Sequence, residues 1–336
     1  MLKLFKISTK YILLIFFTFY ILIFPEASQL RASELDQKVQ QEIYKTNKIF
    51  ELYYSKNFEE CMKYCYSIIT QDIDNTTAYI FYLASSFQLD KLQETINNID
   101  STYISFVQRY NATNKDQVIE TSKDYHYLTA LVGFSNIFLY FSTNNGGAYL
   151  DEAINTFRKS LFFPVTLACI YSGLGIAYYE KKLNERAISM LNRAFNVKSY
   201  DPIALEYFGK IQNSLGNYNQ TISKLKNYID IKYPDMIYQL AYAYEKVNEI
   251  DKAVETYDLA YKYDPNLLGQ GFISLVRMGD IFLYKKNDKQ KAISCYEEIL
   301  KILPDSLVAK SKIEEAQNYD PNKKQESNEK KKKKRK

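Results

Sequence analysis

Residues 235–265 read DMIYQLAYAYEKVNEIDKAVETYDLAYKYDP, and this stretch decides the fold. Its first half has the i, i+3, i+4, i+7 spacing of one apolar helix face, formed by Ile237, Leu240, Ala241 and Tyr244. Asn248 occupies a polar turn. One face of the segment after the turn is formed by Ala253, Tyr257 and Ala260. Pro265 ends the unit because proline cannot continue a helix. The stretch therefore predicts two helices, A and B, joined by a short turn.

The same pattern recurs along the chain. A small residue in helix B, followed four residues later by an aromatic or Leu side chain, occurs at spacings of 34, 34, 32 and 39 residues. The small residues are Ala153, Ala187, Thr221, Ala253 and Ala292, and their followers are Phe157, Leu191, Leu225, Tyr257 and Tyr296. A small side chain lets two helix backbones approach, and the large follower fills the space beside it. Self-similarity near 34 residues predicts a stacked array of one helical hairpin.

These copies resemble the tetratricopeptide repeat family, whose first helix has a bulky–Leu–Gly–aromatic pattern and whose second helix has Ala–aromatic–Ala–Pro. Over residues 168–304 the first-helix pattern is carried by Leu174, Gly175, Tyr178, Phe208, Gly209, Met278, Gly279 and Phe282. The chain departs from the family in having no Trp, in Gln212 where Tyr is usual, and in Thr221 for Ala. The resemblance implies an all-α, right-handed α–α superhelical solenoid that acts as a protein–protein interaction scaffold.

In the resembled family, the first helices line a concave groove that holds an extended segment or helix of a partner. The matching positions here are Tyr207, Lys210, Tyr238, Gln239, Tyr242, Arg277 and Asp280. Tyr offers a large contact area for little ordering entropy, and Lys or Arg can fix a carboxylate. The alternative is that these are ordinary exposed helix residues. One family variant grips a C-terminal carboxylate, but its basic and amide positions are here occupied by Ser172, Ile176, Glu206 and Tyr238.

Four regions follow from these patterns. Residues 1–27 are a leader, 35–130 degenerate helical hairpins, 131–316 the clearer array and 317–336 a disordered basic tail. About six hairpins are expected between Leu35 and Ala316, with a polar loop over residues 111–124. Because repeats of this kind contact only their neighbours, we expect one solenoid without a second domain.

The leader has Lys3, Lys6 and Lys10 before an unbroken apolar run from Tyr11 to Phe24. Fourteen residues rise only about 21 Å, less than the hydrocarbon core of a bilayer. The pattern is typical of a secretion signal, and an uncleaved membrane anchor is the alternative. Either predicts repeats outside the cytoplasm, in the periplasm or cell envelope or anchored to the inner membrane. The high Asn, Lys, Ile and Tyr content is compatible with a bacterial source.

The net charge of +5 comes from the C-terminus, because residues 323–336 hold nine Lys or Arg and two Glu. The rest of the chain is mildly acidic. The tail has no apolar residues and is predicted to be disordered. It could attract an anionic lipid or an envelope polymer, or simply keep the terminus soluble. Basic and acidic residues are mixed on the predicted helices, which disfavours nucleic acid as a partner of the array.

No catalytic pattern is present, so we expect no enzyme, no cofactor and no metal site. His126 is the only histidine, and its position near a predicted helix start favours a surface or capping role. No Gly-rich phosphate loop occurs. The four Cys residues have no metal-ligand spacing and are expected in the core. An enzyme with an unrecognised pocket is the remote alternative.

Overall fold

The computed structural model describes residues 25–112, 118–143, 147–162 and 167–321. The predicted leader run from Tyr11 to Phe24 and the Lys-rich tail from residue 323 lie outside the described residues. By compactness the chain divides into two units, Met1–Thr46 and Asn47–Lys336. Every contact discussed below lies within the second unit. None of the described helices combines the length and apolar character needed to cross a membrane.

The described residues form an all-α array, as predicted, and contain no strand. The helices are α1 Pro25–Tyr54, α2 Phe58–Gln71, α3 Thr76–Gln88, α4 Leu92–Ala112, α5 Val118–Ser142, α6 Gly147–Ser160, α7 Ala168–Glu180, α8 Asn184–Val197, α9 Pro202–Ser214, α10 Tyr218–Leu225, α11 Pro234–Lys246, α12 Ile250–Tyr263, α13 Gly271–Tyr284, α14 Lys289–Ile302 and α15 Leu307–Asn318. A short 3₁₀ turn, Lys226–Tyr228, extends α10. Consecutive helices pair as seven hairpins followed by α15, one hairpin more than expected from the sequence.

The small residue of helix B and the large residue four positions after it explain how each hairpin packs. All five small helix-B residues are 0 % exposed, and their large followers are at most 1 % exposed. Each large side chain lies against a glycine or small residue of a helix A. A Cβ added at Gly279, for example, would clash with the Tyr296 ring, and one at Gly175 would lie 2.6 Å from Leu191 Cδ2. These glycines permit close packing that no other residue allows without movement.

Thr221 occupies the buried position that is Ala in the other repeats, and its hydroxyl has a hydrogen-bond partner there. Its Oγ1 donates to Asn213 Oδ1 at 2.9 Å, and Thr221 itself is fully buried. Asn213 in turn donates from Nδ2 to the Gln239 backbone oxygen at 2.9 Å. A buried hydroxyl costs little when it is hydrogen-bonded. The substitution therefore joins neighbouring repeats through a polar contact.

The turns between helix A and helix B share one backbone conformation. A residue with positive φ follows helix A in six hairpins, and these residues are Lys56, Asp90, Lys182, Gly216, Asn248 and Asn287. A left-handed residue just after a helix allows the chain to leave the helix axis and satisfies the last carbonyl groups. Asn and Gly tolerate this conformation best, which explains the polar turns seen in the sequence.

Two expectations about the N-terminal half are corrected. The loop expected at residues 111–124 is shorter, because α4 continues to Ala112 and α5 already begins at Val118. The residues from Val118 to Asp124 contain no Gly or Pro, so polarity alone was a poor sign of a loop. His126 is fully buried within α5, with its Nδ1 against Ser160 Oγ, instead of lying at the surface.

Repeats also contact partners beyond their neighbours, contrary to expectation. Phe50 near the end of α1 stacks on Tyr233 at the start of α11, with ring centroids 4.7 Å apart and planes 10° apart. Tyr54 Oη donates to Asp235 Oδ2 at 2.7 Å, and Asn266 Nδ2 donates to the Tyr54 backbone oxygen at 2.8 Å. The first hairpin of this unit is therefore packed against the sixth.

The α3 helix makes a second set of such contacts. Asp201 caps α9 by accepting hydrogen bonds from the backbone N–H groups of Ile203 and Ala204 at 3.0 and 3.2 Å. Its other oxygen accepts from Thr76 Oγ1 of α3 at 2.5 Å and from Ser172 Oγ of α7 at 2.7 Å. One buried carboxylate thus joins three helices from distant parts of the sequence.

Candidate functional site

Three of the candidate groove residues, Tyr238, Tyr242 and Arg277, form one cluster on α11 and α13 with Glu245. We call Tyr238, Tyr242, Glu245 and Arg277 the α11–α13 cluster. All four side chains are partly exposed. The three residues of α11 follow one another at spacings of four and three, so they share one face of the helix. Arg277 lies on the next helix A of the array.

Arg277 is the centre of this cluster. Its guanidinium carbon lies 5.6 Å from the Tyr242 ring centroid, and its Nη1 lies 3.8 Å from Glu245 Oε1. It also forms a side-chain hydrogen bond with Tyr238, which opposes the rise that burial causes in the pKa of that Tyr hydroxyl. An Arg over an aromatic face is attracted by the ring quadrupole and keeps its N–H groups available at the edge.

The aromatic part of the cluster is continuous. The Tyr238 and Tyr242 rings are stacked, with centroids 6.3 Å apart and planes 27° apart. Tyr218 of α10 lies edge-on to Tyr242 at 6.3 Å, and Lys246 Nζ lies 5.0 Å from the same ring. Tyr257 below them donates its hydroxyl to Glu245 Oε2 at 2.8 Å, which fixes that carboxylate. The result is a platform of tyrosine rings with cations at its border.

The sequence-predicted pair Tyr207 and Lys210 lies elsewhere. Tyr207 is 7 % exposed, and Lys210 Nζ lies 4.4 Å above its ring while forming an ion pair with Glu206. Burial disfavours the charged form of Lys210, but the Glu206 carboxylate prevails and raises its pKa. Next to Tyr207 is a cavity of about 120 Å³, which Ile80 of α3 and Phe138 of α5 also line. Helices of the N-terminal half therefore cover this part of the predicted groove.

Gln239 and Asp280 also have internal partners. Gln239 is 7 % exposed, and its Oε1 accepts a hydrogen bond from Asn213 Nδ2 at 3.1 Å. Asp280 accepts from Tyr296 Oη at 2.9 Å and pairs with Lys312 Nζ, also at 2.9 Å. Of the seven predicted residues, the structure brings together Tyr238, Tyr242 and Arg277.

Sequence reasoning missed Asp235, a half-buried carboxyl at the start of α11 that contacts Tyr54 of α1. Burial and the nearby Glu206 raise the pKa of Asp235 to about 7, although Lys210 opposes the rise. Glu206 also accepts a hydrogen bond from Tyr233 Oη at 2.6 Å. In the sequence, Asp235 appears only as an acidic residue in the first turn of a helix, directly after a proline. That position usually lies at the surface, so it gave no reason to expect burial.

The residues examined for chemistry lie in structural positions. All four Cys thiols are buried and unbonded to one another, with Cys61 Sγ and Cys65 Sγ 4.0 Å apart. Within the described ranges, no group of three or more His, Cys, Asp or Glu side chains is arranged to hold a metal ion.

Two adjacent segments of the array match models of the tetratricopeptide repeat: residues 234–267 and residues 274–306. They coincide with the hairpins α11–α12 and α13–α14 that carry the α11–α13 cluster. These two hairpins are therefore tetratricopeptide repeats. No curated protein shows significant sequence similarity to it.

Solved structures with a similar arrangement are remote in sequence. The C-terminal part of a tetratricopeptide repeat-containing protein from Cytophaga hutchinsonii is 15 % identical, with a TM-score of 0.46, and the match covers 80 % of this chain and 99 % of that one. A tetratricopeptide repeat protein from Parabacteroides merdae is 12 % identical, with a TM-score of 0.44, covering 83 % and 100 %. YrrB, described as a tetratricopeptide repeat protein with an unusual peptide-binding site, is 18 % identical with a TM-score of 0.41, covering 53 % and 87 %.

Proposed function

Because this chain contains tetratricopeptide repeats, we propose that it is an interaction scaffold that binds a protein segment at the α11–α13 cluster. The observation that supports this site is the stacked pair Tyr238 and Tyr242 with Arg277 at its edge. Tyr and Arg are the side chains most often responsible for binding energy at interfaces. The platform is preformed, so little conformational entropy is lost on binding.

The charge arrangement specifies the partner further. Arg277 and Lys246 are positive groups at the border of the rings, while Glu245 is held from below by Tyr257. At 3.8 Å the contact between Arg277 and Glu245 is long for a hydrogen-bonded ion pair. A carboxylate of the partner can therefore form a shorter, bidentate pair with the same guanidinium. We propose a partner segment with an acidic side chain next to an apolar one.

Removing the Arg277 side chain is expected to weaken capture of that partner about tenfold or more, as for other interface hot spots. A photo-crosslinking amino acid at Tyr242 in the native cell would report the captured chain. Arg277→Ala should weaken the crosslink about tenfold or more, while Arg186→Ala should preserve it. Arg186 is a matched control because its guanidinium lies 6.0 Å from the Tyr178 ring in another repeat. A crosslink of unchanged strength in Arg277→Ala, or one that is equally strong from Tyr263 on α12, would count against this site.

We also propose that the scaffold is exported and remains in the cell envelope, released or tethered by its N-terminus. The basic run of Lys3, Lys6 and Lys10 before Tyr11–Phe24 supports this proposal. A reporter enzyme that is active only outside the cytoplasm, fused after residue 40, should be active. Deleting residues 11–24 should remove that activity, and unchanged activity would refute export.

The alternative function is binding of an anionic lipid or envelope polymer by the tail. Its support is the excess of Lys and Arg in residues 323–336. Salt-sensitive cosedimentation with anionic liposomes, lost when these residues are deleted, would favour this alternative.

A further inference from the structure

A second candidate binding site lies in the N-terminal half, far along the chain from the α11–α13 cluster. Helix α4 packs mainly on α5 and only loosely on its own hairpin partner α3. The space that results is a cleft of about 440 Å³ bounded by α2, α3, α4 and α5. We call it the α2–α5 cleft. Its volume is within the usual range of ligand pockets.

The floor of the cleft is apolar and buried, with Ile69, Ile99 and Leu131 among its residues. Its walls are different. They carry three tyrosines from three helices, Tyr66, Tyr82 and Tyr127, and one polar face of α4 that includes Asn98 and Thr102. A wall of rings with hydroxyl and amide groups along its border can bind an apolar surface and hydrogen-bond its polar edge at the same time.

The three tyrosines lie near one another in the wall of the cleft. The Tyr66 and Tyr82 rings are 6.1 Å apart with planes inclined by 37°. Burial, helped by the other two phenols, raises the pKa of Tyr127 to about 12, and burial with Tyr66 also raises the pKa of Tyr82. The Tyr82 and Tyr127 hydroxyls are therefore neutral donors at physiological pH. Within the described part of the chain, none of the three hydroxyls forms a hydrogen bond, so a ligand with carbonyl acceptors would find them available.

The charged side chains that flank the opening of the cleft have a net charge of zero. Lys91 Nζ lies 3.9 Å from Glu59 Oε1, and both flank the opening together with Lys63 and Glu94. Two cations and two anions give no net attraction for a polyanion such as a nucleic acid or a membrane surface. The preferred ligand is consequently close to neutral in the segment that enters the cleft.

The hydroxyls of the cleft also favour one backbone conformation for a peptide ligand. An α-helix keeps its carbonyl groups in internal hydrogen bonds, so it offers few acceptors to the phenols. A polyproline II segment has no internal hydrogen bonds, and its carbonyls point outward. Proline-rich segments characteristically dock between aromatic rings, and they lose little entropy because they are already extended.

We propose that the α2–α5 cleft binds a proline-rich segment of a partner protein in the polyproline II conformation. The rings of Tyr66 and Tyr82 pack against prolines, and the hydroxyls of Tyr82 and Tyr127 donate to backbone carbonyls. Asn98 at the border supplies a further donor and acceptor. This site does not depend on the α11–α13 cluster, so the scaffold would hold two segments at once.

The test uses the full chain and fluorescein-labelled decapeptides that contain Pro-x-x-Pro, flanked by Arg, by Glu or by neither. Fluorescence anisotropy should show saturable binding of at least one peptide, and replacing its prolines by alanine should remove that binding. The triple variant Tyr66→Phe, Tyr82→Phe, Tyr127→Phe keeps the rings and removes three hydroxyls. It should weaken binding at least tenfold, since each lost hydrogen bond contributes a few-fold or more.

Tyr178→Phe on α7 is the control, because it removes the same atom outside the cleft and should leave the affinity unchanged. Helicity and the unfolding midpoint of each variant show whether the fold is retained. Binding by no peptide, equal binding of the alanine peptides, or an unchanged affinity in the triple variant would overturn the proposal. Saturable binding of a neutral oligosaccharide such as maltoheptaose, with no peptide bound, would assign the cleft to a different ligand class and also overturn it.

Discussion

Replacing Phe157 by Ala is expected to lower the free energy of unfolding by about 3–5 kcal/mol, the largest effect of any single substitution considered. Phe157 is 0 % exposed and lies edge-on to Phe134, with ring centroids 5.2 Å apart. Its ring fills the space left by Gly133 of α5 and Gly173 of α7. Truncation leaves a cavity between two repeats, because backbones held by many hydrogen bonds cannot collapse into it.

Urea unfolding followed by circular dichroism measures this loss. Phe162→Ala is the control, because Phe162 is 89 % exposed and its truncation should change stability by less than about 0.5 kcal/mol. In a repeat array the loss can appear as separate unfolding of the neighbouring hairpins. Both the midpoint and the slope should therefore be compared. A loss below about 1 kcal/mol would show that the interlocking of rings and glycines does not hold the array together.

A double-mutant cycle tests the cause. In the unaltered chain, Gly173→Ala places a Cβ against the Phe157 ring and should destabilise the fold. When Phe157 is already Ala, that clash is absent. The same substitution should then stabilise α7 by up to about 1 kcal/mol, because Ala is the better helix former. The effect of Gly173→Ala should thus change sign, and equal effects in both backgrounds would exclude direct contact.

Replacing Asp235 by Asn is expected to stabilise the chain at pH 8 by about 2–4 kcal/mol. Burial and the neighbouring Glu206 raise the pKa of Asp235 from 3.8 to about 7. Above that pKa the fold must hold a poorly solvated carboxylate close to another one. Asn keeps an oxygen that can accept the hydrogen bond from Tyr54 and carries no charge. The lost attraction between Asp and the N-terminus of α11 costs only about 0.5 kcal/mol.

The sign of the pH dependence follows from the direction of the shift. Because the folded pKa is the higher one, the protonated Asp235 favours the folded state. This contribution is complete below pH 3.8 and is lost as the pH rises towards about 7. The advantage of Asp235→Asn should therefore grow between these two values and remain constant above them. Lys210 lies in the same network and limits the total loss.

Thermal or urea unfolding at several pH values from 4.5 to about 8.5 measures the difference between the two chains. Asp230→Asn is the control, since Asp230 is exposed and its exchange should matter by less than about 0.5 kcal/mol throughout. A difference that does not vary with pH would mean that Asp235 is ionised in the fold at all these values. Destabilisation at pH 8 would mean that the carboxylate is favourably paired.

In the C-terminal array, the helices and the pairing of small with large residues between them could be predicted from the sequence. Ala187 and Leu191, or Ala253 and Tyr257, are four residues apart, so both lie on the same face of one helix. Their partners are in the preceding helix of the same hairpin or in the next repeat. Such contacts are local, and a periodic pattern records them directly. For the same reason the helix predicted in the first half of residues 235–265 coincides with α11, Pro234–Lys246.

The structure also places three of the seven predicted groove residues next to one another, and their role in binding stays a prediction. Tyr238 and Tyr242 are one helical turn apart, and Arg277 occupies the next helix A of the array. The repeat period alone places them on one surface. The same reasoning also selected Tyr207 and Gln239, which the structure buries. A repeat pattern gives the direction of a side chain within its hairpin, but it does not show what else lies in that direction.

By itself, the sequence determined the helical hairpin, its period near 34 residues and the packing of a small side chain beside a large one. Each of these depends on contacts within one or two adjacent repeats. Only the tertiary structure decided which of those surfaces stay open. Tyr54 and Asp235 are 181 residues apart, and nothing in either local sequence indicates the other. Closing so long a loop is favoured by the summed burial of several helices, not by a local motif. That sum exists only once the chain is folded.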